Sequence, residues 1–365
     1  MTDVLIVGGG IIGLAIALEL RLQGASVTVL SRRFAEAATQ AAAGMLAPQA
    51  EQIPPGPMLE LCLRSRNLYP DWTRKLEELT GLETGYWDCG ILAPVFSAEV
   101  STEDGTEEQV SADSWLDRAS LHARYPGLSP EVVGGRWYPQ DGQVDNRLLT
   151  KALLMALRDL GGKVCEGVTV DRFLMQGDRT IAVQTADGEL QAGHYVLATG
   201  AWSQALLPVS IVPRKGQMLA VQTPIDRPHP LQTVLFGSEV YLVPRRDGRI
   251  LIGATSENVG FTSGNTPAGI QALLTQAVRL YPSLQDFPIQ ELWWGFRPAT
   301  PDEQPILGAS PYENLTLATG HYRNGILLTP ITAKLIADRI LKSADPLLEP
   351  FHWSRFQTRK NESDQ

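Results

Sequence analysis

A basic block, a cysteine framework and a membrane-length apolar run are all missing from this sequence. Its 31 Lys and Arg are outnumbered by 40 Asp and Glu, a formal charge of −9, and the cations are scattered. Binding a phosphate backbone needs a positive face, so nucleic acid is not an expected partner. The three cysteines, Cys62, Cys89 and Cys165, are odd in number and far apart. That is neither a disulfide framework nor a zinc spacing, and it suits a reducing compartment. The dispersed histidines His122, His194, His229, His321 and His352 form no metal-ligand motif. Ile11 to Leu20, the most apolar stretch, is about half the length a spanning helix needs and contains Glu19. No basic leader precedes the first strand-like run, so no signal peptide is expected and the reading is a cytoplasmic protein. Charge is scarce as well, 19% of residues against 44% apolar, which means much of the chain is interior. Disorder, collagen and coiled coil are thereby excluded. At roughly 150 residues per domain, the length of 365 suggests about two domains.

What is present reads as an α/β chain. Val4 to Val7 is a short apolar run ending in glycines, as a buried parallel strand does. Ile11 to Gln23 reads as a helix apolar nearly all round, closed by Gly24, and Ser26 to Leu30 as a second strand. Further helices are expected over Met58–Leu79, Asn146–Leu160, Thr266–Tyr281 and Ile326–Leu341. Short strands and turns fill Thr84–Asp145, with turns at Asp104-Gly105 and Asp141-Gly142 and an acidic loop over Glu99–Glu108. Lys163–Ala201 alternates strands around a hairpin turn at Asp187-Gly188, residues 210–260 are strand-rich, and Leu315–Thr319 is a last strand. Nucleotide-type signals at both ends with strand-rich blocks between predict a Rossmann-like domain and an α+β, strand-rich substrate domain, both discontinuous. The expected division is 1–80, 146–213 and 288–350 for the first, 81–145 and 214–287 for the second, and a tail over 351–365, frayed from Lys360.

Gly8-x-Gly10-x-x-Gly13 is a weak pattern alone, but here a strand precedes it and an apolar helix follows. Those glycines allow a tight turn and close backbone approach, and the helix N-terminus then faces a pyrophosphate. The acidic ribose ligand expected at the end of the second strand is replaced by Ser31, followed by Arg32 and Arg33. The two arginines either solvate a strand end or, as in an NADP site, meet a 2′-phosphate. Two more strand-to-glycine turns end at Gly200 and Gly320, and several such turns on one ligand suit a cofactor as large as FAD. Arg297 and Arg323 both read as lying in Gly/Pro turns after apolar strands. An enclosed guanidinium either pairs with an internal acid or awaits an anion, and its fork matches a carboxylate. Tyr241 offers a phenol donor or is simply a core aromatic.

Six segments occur in an order that marks a family: Gly8–Gly13, Gln40–Leu46, Arg214–Gln217, Tyr241–Arg245, Trp294–Pro298 and Gly320–Ile326. Over about residues 3–356 the chain resembles the FAD-dependent amine oxidases of the D-amino-acid oxidase group, most of all its glycine-oxidising branch. The resemblance implies non-covalent FAD, since no cysteine falls in the motifs that face the flavin ring. It implies FAD contacts at Ile11, Ile12, Ser31, Arg32, Ala38, Thr39, Ala43, Gly44, Met45 and Val170, beside the Gly8, Gly10, Gly13 and Gly200 turns. At the isoalloxazine it places His321, Tyr322, Arg323, Asn324, Gly325, Ile326 and Leu327, and at the substrate Tyr241, Arg297 and Arg323. A helix beginning near Gly325 is expected to aim its positive end at the flavin. The implied reaction is glycine, oxygen and water to glyoxylate, ammonia and peroxide, with the imine available for thiamine thiazole synthesis. Sarcosine or a small D-amino acid is the rival substrate, and a quinone-linked membrane dehydrogenase or a flavin carrier without turnover the more distant readings. No metal and no membrane span are expected, and a dimer or tetramer of identical chains is.

Overall fold

A computed structural model describes residues 2–97, 115–224 and 231–357. The acidic loop over Glu99–Glu108, its Asp104-Gly105 turn, His229 and the tail from Lys360 lie outside the described residues. The first strand, β1 (Thr2–Val7), obeys the period-2 rule on both faces. Val4 and Ile6 enter one core and Leu5 and Val7 another. It is the centre of a six-stranded sheet in the order 306–309, 315–319, 192–197, β1, β2 (Val27–Ser31), 163–166. All pairs are parallel except the antiparallel edge strand Ile306–Ala309. A strand buried on both faces must be apolar throughout, which is why Val4–Val7 carries no polar residue.

Helix α1 (Ile11–Leu22) connects β1 to β2 and is buried on nearly every side. It packs between α3 (Asn146–Asp159) and α5 (Thr329–Leu341), with α2 (Pro57–Thr80) outside them. The opposite face of the sheet is covered by the three-stranded sheet 170–190, through Val170, Phe173 and Val183. The expected helices therefore form, with one displaced start. Asn324–Leu328 closes as separate turns, Leu328 N donating to Asn324 O, and the helix begins only at Thr329, where Pro330 presets its first turn.

The second large sheet has eight strands in the order 289–299, 212–222, 249–253, 241–244, 234–236, 91–96, 132–138, 115–117. One face packs on helix α4 (Pro267–Leu280), with Leu219, Leu242 and Ile252 against Leu273 and Ala277. The other face, with Met218, Val243 and Leu251, packs on Ala43, Ala47 and Ala50. Small side chains at Ala43, Ala47 and Ala50 let that segment pack close against the sheet.

Two expected boundaries differ from the observed strands. Ile289–Ala299 pairs with Val212–Gln222 along its length, so this strand belongs to the second sheet and not to a segment resuming at 288. Arg297 consequently sits in a strand and not in a turn. Pro298 is tolerated because this is an edge strand. The tail is packed as far as it is described: Phe351 is fully buried in the first core, and Trp353 and Phe356 lean on the second face.

Candidate active site

The strand-to-glycine turns open onto one cavity of about 630 Å³ between the two sheets. At its floor, Gly8 adopts φ +122°, and a Cβ there would lie 2.2 Å from Ala198 O. Only glycine fits so sharp a turn this close to the neighbouring strand. No side chain caps α1 at Gly10 and its first turn holds no acid. Its Ile11 amide donates to Thr39 Oγ1 at 2.9 Å, and the helix end is otherwise open to an anion. Asn146, in turn, donates to Thr39 O, so this corner is held from α3.

Most of the expected cofactor residues line this cavity: Gly8, Gly10, Ile11, Ile12, Ser31, Arg32, Ala38, Thr39, Ala43, Gly44, Met45, Val170, Gly200, His321, Tyr322, Arg323, Gly325 and Ile326. Three do not. A Cβ on Gly13 would lie 2.0 Å from Gly8 O, so this glycine lets α1 approach the β1 turn. Asn324 is used in backbone turns, and Leu327 is buried, its carbonyl accepting from Ser65. Arg32 and Arg33 both pair with Glu36, and Arg32 also stacks 4.9 Å over Trp202. Of the alternatives for this pair, a 2′-phosphate site loses its free guanidinium.

Tyr241 and Arg297 line the far end of the same cavity. Two glycines, Gly216 inside the Arg214–Gln217 segment and Gly253, make room for them. A Cβ on Gly216 would lie 2.5 Å from Arg297 Nη1, and one on Gly253 would lie 2.6 Å from the Tyr241 ring. Arg297 Nη1 donates to Thr255 O at 3.0 Å, and this guanidinium has no ion-pair partner among the described residues. Burial, partly opposed by Arg297, pushes the Tyr241 phenol up, so it stays protonated and able to donate. Arg323 takes the other alternative, since its Nη2 lies 3.4 Å from Glu51 Oε1. Glu51 also lines the cavity, and burial pushes its carboxyl above the ordinary value despite Arg323. No motif pointed to Glu51. The signal was a lone acid in an otherwise apolar and small stretch, Ala41–Ala50.

His321 is 3% exposed and burial drives it down to about 3, so it is a neutral ring at the cavity wall. Its Nε2 lies 3.2 Å from Thr332 Oγ1. The 43–46 segment is fixed by a buried network. Arg245 donates to Ala43 O at 2.8 Å and to Gln143, and pairs with Asp145 at 3.3 Å. Gln143 Nε2 donates back to Pro244 O.

The open helix end at Gly10, the glycine turns and the volume of the cavity fit a dinucleotide with a flavin ring, and the chain matches the FAD dependent oxidoreductase family over residues 3–339. This protein belongs to that family. It is 60% identical over 359 residues to the bifunctional protein ThiO/ThiG of Trichormus variabilis, covering 97% of this chain and 55% of that one. The chain thus spans about half the length of such relatives. The glycine oxidase of Geobacillus kaustophilus is 35% identical, covering 97% of both chains. The crystal structure of glycine oxidase from Bacillus cereus superposes with a TM-score of 0.87 at 31% identity, covering 95% of this chain and 99% of that one. No helix among the described residues is long and apolar enough to cross a membrane.

Proposed function

We propose that this flavoenzyme oxidises glycine to glyoxylate and ammonia with release of hydrogen peroxide, in the cytoplasm, its imine feeding thiazole synthesis. The observation that carries this reading is the unpaired Arg297 guanidinium, set beside the Tyr241 phenol in the cavity that the glycine turns open. A guanidinium fork and one phenol donor suit a single carboxylate. Glycine offers only its carboxylate and amine as handles, so a fixed carboxylate fixes the α-carbon as well, and such positioning lowers the barrier. FAD, when bound, supplies the two-electron acceptor and the route to oxygen.

The remaining work falls to this chain's own side chains. Arg297 holds the carboxylate, and Gly216 and Gly253 keep the space that its guanidinium and Tyr241 occupy. Neutral His321 adds no charge to the wall. Thr39 and the open first turn of α1 face the pyrophosphate position. The proposed flavin is not covalently linked, since Cys62, Cys89 and Cys165 do not line the cavity. Acid precipitation should leave the yellow colour in the supernatant, and colour kept in the pellet would refute this.

The deciding experiment is anaerobic mixing of the purified holoenzyme with glycine, sarcosine or D-alanine, followed by air and peroxide detection. Fast bleaching by glycine with peroxide on reoxidation supports the proposal. Bleaching by sarcosine or D-alanine alone moves the substrate, and no bleaching by any amine leaves a flavin carrier.

A further inference from the structure

Arg297, Arg323, Glu51 and Glu239 are four of the charged side chains that line the cavity. Only two of them are joined. Arg323 and Glu51 form an ion pair at 3.4 Å, with their side chains 43% and 14% exposed. Arg297 has no ion-pair partner among the described residues and donates to the neutral Thr255 O. Two free guanidiniums in one cavity would hold a molecule with two acidic groups, whereas one free and one paired guanidinium holds one.

The placement of Glu51 is built by the fold. It stands on a tight turn in which Glu51 N donates to Ala47 O at 2.9 Å and Gln52 takes φ +51°. That turn is clamped from below by Asp141, whose carboxylate accepts from Gln49 N at 3.1 Å and Ala50 N at 2.8 Å. Asp141 is itself fully buried and paired to Arg66 at 2.7 Å. Asp141, read from sequence only as part of a turn, is therefore a buried anchor, and what it anchors is the backbone that carries Glu51.

We infer that Glu51 is a specificity-determining residue: by occupying Arg323 it limits the cavity to amines with one carboxylate and rejects those with a second acidic group. The inference rests on the carboxylate-binding role proposed for Arg297. Removing the Glu51 charge releases Arg323 as a second anion site on the same wall. A second acidic group on the ligand then gains a charge-assisted contact that it lacks in the parent enzyme.

The test compares malonate with acetate as ligands of the oxidised FAD-loaded enzyme, read by perturbation of the flavin spectrum, at alkaline pH where Glu51 is ionised. Binding needs no turnover, so it reports on Glu51 even if glycine proves not to be the substrate. In Glu51→Gln the malonate-to-acetate affinity ratio should rise about tenfold or more over the parent, the size of one charge-assisted contact. Glu239→Gln makes the same change in net charge but leaves Arg323 paired, and its ratio should move less than about threefold. In Glu51→Gln/Arg323→Gln the ratio should return to the parent value. In turnover, Glu51→Gln should gain iminodiacetate relative to glycine by a similar factor. An unchanged ratio in Glu51→Gln at full flavin content overturns the inference, as does an equal rise in Glu239→Gln. If Glu51→Gln does not hold flavin, Glu51→Leu serves for the same comparison.

Discussion

Arg297 carries the proposed chemistry on a single side chain, and its environment is built by omission. Gly216 sits diagonally across the strand pair, where any Cβ would lie 2.5 Å from the guanidinium. Arg297→Ala should therefore keep fold and FAD but lower kcat/KM for glycine by about a hundredfold or more, roughly 3 kcal/mol. Arg297→Lys should recover only part of this, because an ammonium cannot reproduce the fork. Kinetics with flavin content quantified check both, and near-normal turnover in Arg297→Ala would remove the residue from the site. Gly216→Ala tests the same geometry from the other side. Its methyl must push the guanidinium aside, so KM for glycine should rise about tenfold while flavin absorbance per protein stays constant. A Gly216→Ala enzyme with parental KM would show that the guanidinium is not held where the structure places it.

At the scale of elements, the 43–46 segment between the two sheets is held by Arg245 on the strand 241–244 and its connection, paired to Asp145 at the start of α3. Asp145 also caps that helix, accepting from Arg147 N at 2.9 Å and Leu148 N at 3.1 Å. Burial pulls the Arg245 guanidinium down to about 10, still charged at neutral pH. Removing one partner of such a pair leaves an uncompensated buried charge, which costs about 3–5 kcal/mol. Arg245→Met should lower unfolding stability by about this amount, lessened by Arg249, which also reaches Asp145 at 3.4 Å. It should also loosen FAD, because Ala43 O loses its donor. Urea unfolding of the holoenzyme and flavin retention on dialysis measure the two effects, and a variant unchanged in both would show that the network does not brace the segment.

For the molecule as a whole, acid stability should be governed in part by buried imidazoles. Burial, aided by Arg339 and Arg179, holds His194 down to about 4, and His321 lies lower still. An unfolded histidine titrates near 6.5. Above that pH both states are neutral and the groups contribute nothing to the pH dependence. Between about 6.5 and 4 the unfolded chain binds protons that the native chain refuses, so stability should fall with pH by about 1.4 kcal/mol per unit for each such ring. Below about 4 the His194 contribution is complete. His194→Gln, which replaces a ring bonded to Thr316 at 2.8 Å, should flatten the acid limb of the urea midpoint against pH. An unchanged limb would assign the acid loss to carboxylates instead.

At this same scale, local pattern determined the βαβ opening, the helices but for the start of the last, and the strand-to-glycine turns. Each of these rests on neighbours in sequence: a period of 2 or 3.6, a glycine where φ must be positive, an apolar run where both faces are buried. The family, and with it the placing of Ala43 and His321 beside the Gly8 turn and Ser31, rested on the resemblance of ordered motifs, whereas Arg297 was legible as a fork for a carboxylate. Pairing of charges was not legible, because it is set by which residues the sheets bring together across tens or hundreds of positions. Only the tertiary structure separated Arg323, held by Glu51, from Arg297, left free. It alone put Ile289–Ala299 in the second sheet, since an edge strand accepts Pro298 that sequence reading takes for a turn. It turned Asp141 from a turn residue into a buried anchor, because the energy of a carboxylate depends on the guanidinium 2.7 Å away and not on its neighbours in the chain.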